Sequence, residues 1–391
     1  MTAAARTPLW LGAALLLVAL NLRLPFAGVP PIIDAVRDGL GLSHAAAGAL
    51  TTLPVLCFAA AAPLAPRLAR RFGDDPVILA CMVLVAVGVA VRIVPEVLPF
   101  YAGTLLLGLG IALVNVLIPA VVKRWYPRPG AMTGLYVTVL TAGAALAAAA
   151  TVPLEHAFGW QAALAVWGIP SIVAAVAWLP ALRAGHAPPG PPPPRVSLWR
   201  NRRAWMLTAM MGCQGLLFYA VLAWTAEIVG DAGLAEGSAG VMLALAMLLG
   251  IPTSLVTPML AGRVDDQRPL VALGVALWFA GLGGLLASPG AATALWMVLI
   301  GLGQGVGFSL ALARVVLRAP DPPHAAALSG MVQSAGYAMA ATGPFAVGLI
   351  HDLSGSWDAS IVFLIVVTAG LLAAGLAAAR PGTIGGAQDL P

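Results

Sequence analysis

Apolar residues run along this chain in stretches of about 20, each bounded by a short polar or proline-rich break and long enough to cross a bilayer as a helix. Twelve such spans are read at about 9–33, 44–68, 76–94, 99–122, 131–154, 162–182, 204–228, 238–261, 269–288, 293–317, 326–350 and 359–379. The first ends in NLRLPFAGVPPIIDAV, residues 21–36, and carries Arg23 deep inside the segment that Leu9 opens. A guanidinium at that depth costs about 2.5–3.5 kcal/mol on insertion scales, so Arg23 is expected to face a polar cavity or a partner. Pro25, Pro30 and Pro31 follow it and have no N–H for the carbonyls of Asn21, Phe26 and Ala27. Irregular backbone at membrane depth is tolerated where it lines a cavity or packs in protein.

The pattern repeats. Asn21, Phe26 and Asp34 lie 193 residues before Gln214, Tyr219 and Glu227, and Gly108-Leu109-Gly110 lies 193 before Gly301-Leu302-Gly303. Arg67 and Arg263, and Thr133-Gly134 and Ser329-Gly330, are offset by 196, and Trp160 and Trp357 by 197. Between the copies lies RAGHAPPGPPPPRVSLWRNRR, a proline-rich, basic tether. The expected organisation is an all-α integral membrane protein. It has a six-helix half over 1–182, a linker over 183–203 and a second six-helix half over 204–391. Halves in the same orientation imply a pseudo-two-fold axis along the membrane normal, with the solute site between them.

Composition supports this class and removes others. Hydrophobic residues are 61% of the 391 and charged residues only 9%, too few to solvate a soluble protein of this size. The formal charge of +5 is scattered over short loops and forms no patch for nucleic acid. Its distribution gives orientation. Arg67, Arg70, Arg71, Lys123, Arg124, Arg128, Arg263 and Arg268 fall on one side, and Asp34, Glu96, Glu155, Glu227 and Asp352 on the other. That bias puts both termini in the cytoplasm, with the chain in the cytoplasmic membrane. Arg6 and the apolar stretch after it resemble a signal peptide. The segment continues past Arg23 without a small-residue cleavage site, so it is read as a retained first helix. Cys57, Cys81 and Cys213 lie inside apolar spans and are assigned to packing rather than to a disulfide or a metal.

The loops LAPRLARR and LAGRVDDQR, after spans two and eight, resemble degraded copies of the loop signature of the major facilitator superfamily, with Pro66 and Gly262 in place of the usual acid. More closely, the chain resembles the cyanate and 2-nitroimidazole transporter family (CynX/NimT-like). The stretches that carry the resemblance are LNLRLP at 20–25, GLGIALVNVLIPAVVKRWYP at 108–127, MTGLYVTV at 132–139 and GWQAALAVWGIP at 159–170. FYAVLAW at 218–224 and LRAPDPPHAAALSGMVQSAGYAMAATGP at 317–344 extend it through the second half. The resemblance implies the major facilitator fold and a carrier working by alternating access.

Within that architecture Asn115, Gln214, Tyr219, Gln304 and Tyr337, from spans 4, 7, 10 and 11, resemble cavity-lining positions. Taken singly, each also reads as an interhelical hydrogen bond. As a set with Arg23 they form a polar clamp, one cation with amide and phenol donors, suited to a small anion. Arg23 itself has a structural alternative, bonding helix carbonyls or snorkelling. Asn21 lies about 200° around the helix from Arg23. Only one of the two can face the cavity squarely, and Asn21 is assigned to a neighbouring helix. Arg314, within span ten, is read either as a second cation on an anion path or as a snorkelling arginine. Trp224 and Phe218 are candidate outer gates, with aromatic packing as the alternative. Tyr136 and Gln333 lie nearer the inside, and Arg92 is assigned to the outer interface.

No Asp or Glu sits in the middle of a span, so no buried carboxylate relay is visible. No catalytic constellation, metal cluster or nucleotide-binding glycine loop appears, and no enzyme activity or cofactor is expected. The leading reading is a secondary transporter, working as a monomer in the lipid bilayer, for a small anionic or polar solute of the cyanate or nitroheterocycle kind. The alternative is a drug or antibiotic efflux antiporter, suggested by Gly343-Pro344 and Gly348.

Overall fold

The computed structural model describes residues 9–42, 53, 56–184, 198–231, 233, 236–288, 290 and 292–384. The start of the second expected span (43–52) and the middle of the linker (185–197) lie outside the described residues. Among the described residues every regular element is helical.

Span one is a broken helix. It comprises α1 (Leu9–Asn21), the single turn α2 (Leu24–Ala27), a 3-10 turn (Pro30–Ile32) and α3 (Ile33–Leu40). The described part of span two passes through a 3-10 turn at Ala62–Leu64 into α4 (Ala65–Phe72). Spans three to six are carried by α5 (Asp74–Arg92), α6 (Val97–Trp125), α7 (Pro129–Ala165) and α8 (Gly168–Ala184). Gly159, at φ 80°, turns the corner between spans five and six inside α7, in the left-handed region where a Cβ is penalised. Spans seven to ten are α9 (Arg202–Asp231), α10 (Glu236–Ala261), α11 (Arg268–Ala287) and α12 (Thr293–Arg318). Span eleven divides into α13 (Pro322–Ala340) and α14 (Thr342–Ser354), and span twelve is α15 (Trp357–Ala378).

Spans six and eleven, expected to be continuous, are both interrupted, at Val166–Trp167 and at Ala341. Each break falls three or four residues before a proline, Pro170 and Pro344. The ring there removes an amide donor and crowds the preceding turn. The same geometry puts the first break of span one at Leu22–Arg23, just before Pro25.

The chain forms two compact units. The first comprises Met1–Pro127, Leu135–Val196 and Asp321–Gly330, and the second Arg128–Gly134, Ser197–Pro320 and Met331–Pro391. Each unit thus takes in a short segment from the opposite half of the sequence, and each segment docks on a signature loop. In the first unit, a Cβ on Gly330 would lie 3.2 Å from Pro66 Cγ and 3.3 Å from Ala62 O. In the second, a Cβ on Gly130 would lie 2.5 Å from Pro258 O and 3.2 Å from Gly262 Cα. Pro66 and Gly262, which replace the signature acid, therefore meet bare glycine backbone. Charge pairing occurs instead beside that loop in the first unit. Arg124 bonds both oxygens of Asp75 at 2.7 and 2.8 Å and Asp74 at 3.2 Å, while Trp178 Nε1 donates to Asp75 O.

Small residues set the helix spacing. A Cβ on Gly103 of α6 would come within 2.5 Å of both Gly88 O and Arg92 N, so α5 and α6 touch backbone to backbone. In the second unit, Gly301 and Gly305 of α12 lie directly on the carbonyls of Ala246 and Gly250 in α10. On the outer faces Ile169, Val176 and Val366 are exposed, the apolar surface that a bilayer covers.

Candidate solute-binding site

In the first unit the candidate site is the broken part of span one. Arg23 is the N-cap of α2, with φ −128° and ψ −32°, outside helical geometry. Its carbonyl accepts from both Phe26 N (3.2 Å) and Ala27 N (2.8 Å), which closes the single turn of α2. The side chain is half-buried, with its guanidinium carbon 6.0 Å from the centroid of the buried Phe58 ring. That separation is within the range of a cation–π contact.

Three neighbours hold this break. Asn21 is fully buried. Its Nδ2 donates to Leu17 O (2.8 Å) and Pro170 O (3.0 Å), and its Oδ1 accepts from Ser171 Oγ (2.7 Å). Gly28, closing α2, lies against the Trp167 ring, whose Nε1 donates to Thr151 Oγ1 at 3.0 Å. Arg92 Nη1 donates to Pro25 O at 2.7 Å. Arg92 ends α5, as its place at the end of an apolar run predicted, but its side chain turns into the protein. It is completely buried. Asn115 is also buried, in α6, four residues before Pro119.

In the second unit Gln214 of α9 and Gln304 of α12 are joined by a short bond, Gln214 Nε2 to Gln304 Oε1. Gln214 is fully buried, with Gly307 against its carboxamide, and its Oε1 receives no hydrogen bond. The pair therefore offers an unused acceptor beside amide donors. Tyr337 is buried in α13. Tyr219 is half-buried and packs edge-on against Phe218, with centroids 5.1 Å apart. Five residues on from Gln214, it lies about 140° around the helix and does not join the glutamine pair. Tyr136 and Gln333 are buried.

Arg314 is fully interior rather than snorkelling. Nε donates to Gln267 Oε1 (3.1 Å), and Nη1 donates to Gly375 O (3.0 Å) and touches Met210 Sδ (3.4 Å). It ties α9, α12 and α15 to the residue that precedes α11. Trp224 Nε1 donates to Pro344 O (2.8 Å), and its ring lies 5.5 Å from Trp357, which stacks on His351 at 3.8 Å.

A shared device emerges. In spans one, six and eleven, the carbonyl of the proline at the break accepts a side-chain donor from another span. The pairs are Arg92 on Pro25, Asn21 on Pro170 and Trp224 on Pro344. Sequence reasoning found Pro25 and Asn21, and missed the breaks at Pro170 and Pro344 together with Arg92 and Gln267. A terminal arginine and a loop glutamine carry no sequence signal for partners 67 and 47 residues away.

The family model of the Major Facilitator Superfamily matches residues 9–344. The chain is 36% identical over 373 residues to the 2-nitroimidazole transporter of Escherichia coli (strain K12), covering 94% of this chain and 95% of that protein. It is 28% identical over 365 residues to the cyanate transport protein CynX of the same organism, covering 92% and 94%. Among solved structures, the proton:xylose symporter XylE aligns over 94% of both chains with a TM-score of 0.75 at 13% identity, a likeness of fold.

Proposed function

Because the chain belongs to the major facilitator superfamily, in the group of the 2-nitroimidazole and cyanate transporters, we propose that it is a secondary transporter for a small anionic or polar solute. It works in the cytoplasmic membrane by alternating access, with both termini inside. The observation that carries the anionic preference is Arg23, a half-buried cation within span one, presented by a non-helical residue and backed by Phe58.

The proposed contacts are Arg23, Asn115, Gln214, Gln304, Tyr219 and Tyr337. Arg23 addresses the negative end of the solute. The spare acceptor of Gln214 suits a solute that also carries an N–H, as a nitroheterocycle can. Arg314, with its bonds to Gln267 and Gly375, braces the second unit.

A thermal-shift screen of the purified protein against cyanate, nitrate, short carboxylates and 2-nitroimidazole tests this reading. A bound solute at about 100 times its dissociation constant stabilises the folded state by about 2.7 kcal/mol. No shift with any of these compounds at millimolar concentration would remove the anion preference. The efflux reading rests on Gly343-Pro344, and counterflow with anionic and cationic dyes separates it from the first.

Tyr219→Phe is expected to weaken apparent solute affinity by about 1 kcal/mol at unchanged expression, through loss of one hydrogen bond. Wild-type affinity in this variant would return Tyr219 to packing against Phe218.

A further inference from the structure

We propose that Arg92 is a positioning residue for Arg23, holding from α5 the short helix α2 that presents the Arg23 guanidinium. The proposal rests on the reading of Arg23 as a solute contact.

The backbone leaves the Pro25 carbonyl to a side chain. Val29, the residue whose N–H would bond it in a continuing helix, donates instead to Phe26 O at 3.5 Å, and the next residue, Pro30, has no N–H. Arg92 Nη1 fills that role at 2.7 Å. The position of Arg92 is itself fixed. Gly103 brings the backbone of α6 so near that a Cβ there would lie 2.5 Å from Arg92 N. A rigid backbone contact between α5 and α6 is thereby transmitted through one guanidinium to the turn that begins at Arg23.

The energetics of Arg92 suggest that folding alone does not explain it. It is fully buried, and among the described residues its Nε and Nη2 have no hydrogen-bond partner and no carboxylate bonds to it. A buried cation with a single carbonyl partner is a poor way to stabilise a fold, because desolvating a guanidinium costs more than is lost when one buried carbonyl is left unpaired. Its one bond falls on the turn that carries the solute arginine. This gives opposite signs for the two roles: a positioning Arg92 can be lost without loss of stability but not without disturbing Arg23, whereas a purely structural one behaves the other way round.

The test compares Arg92→Met with Arg92→Lys, whose ammonium can still reach a carbonyl. Three quantities are read on the full-length protein. The first is the melting temperature. The second is the KM and maximal rate of cyanate uptake in vesicles. The third needs no solute: the rate at which an anionic methanethiosulfonate modifies Arg23→Cys in a background where Cys57, Cys81 and Cys213 are alanine.

Arg92→Met is expected to keep or raise the melting temperature. It should raise KM about tenfold, as a misplaced contact group does, and change the modification rate at position 23 several-fold. Arg92→Lys should bring KM and the modification rate most of the way back. An unfolded or strongly destabilised Arg92→Met makes Arg92 structural and overturns the proposal. A folded Arg92→Met with wild-type KM and modification rate overturns it too. If wild-type protein takes up no cyanate, the solute reading fails on that result, and the modification rate still decides the role of Arg92.

Discussion

Arg23→Ala is expected to abolish saturable anion uptake while the protein still reaches the membrane folded. The side chain is half-buried against Phe58, and the break that carries it is held by other groups, Asn21 on Pro170, Gly28 on Trp167 and Arg92 on Pro25. Removing the guanidinium therefore leaves the scaffold of the turn in place. Arg23→Lys keeps the charge but loses the planar fork, and should retain weak transport with altered preference among anions. Uptake kinetics beside size-exclusion profiles check both variants. Wild-type affinity in well-folded Arg23→Ala would end the assignment.

The second large effect is on folding. Gly301→Val is expected to cost more than about 3 kcal/mol, beyond the 1–3 typical of overpacked cores, because those cores relax by moving side chains. Here the new carbon atoms meet the Ala246 carbonyl itself, and Gly305 one turn on lies equally close to the Gly250 carbonyl. The remaining route is to separate α10 from α12 along their length. Loss of monodisperse protein after mild detergent extraction is the expected readout. Gly283→Ala is the control: nothing lies within 4 Å of its added methyl. It should match or slightly exceed wild-type stability, since alanine is the better helix former by about 1 kcal/mol.

The spans, their repeat and the interruption of span one were legible because they rest on local chemistry: run length, offset and the missing amide of proline. Asn21 was assigned to a neighbouring helix, and its carboxamide does meet Pro170 and Ser171 there. The interruptions at Val166–Trp167 and Ala341 were not read, although Pro170 and Pro344 stand in plain view. The reason is that Pro119, Pro153 and Pro180 lie inside helices that continue through them. Whether a proline interrupts a helix depends on what packs around it, and Asn21 and Trp224 reach the carbonyls of Pro170 and Pro344 from distant parts of the chain. For a related reason the burial of Arg92 was not read. Its burial depends on Gly103 letting two backbones meet, and a glycine in an apolar run has the same appearance whether it touches a neighbour or lipid.

The glycine contacts at the two signature loops have a consequence for solution conditions. A partly exposed carboxylate–arginine pair such as Asp74–Arg124 weakens somewhat as rising salt shortens the screening length from about 8 Å at physiological ionic strength to about 3 Å at 1 M, close to the 3.2 Å of the pair. It also weakens as acid protonates the carboxylate. Gly330 against Pro66 and Gly130 against Gly262 are contacts of neutral atoms in van der Waals range. The contacting atoms themselves carry no charge for salt to screen and no group for a proton to neutralise, although Arg67 and Arg263 follow Pro66 and Gly262 directly. Their grip should hold unchanged from dilute buffer to molar salt and across the pH range in which the helices themselves survive.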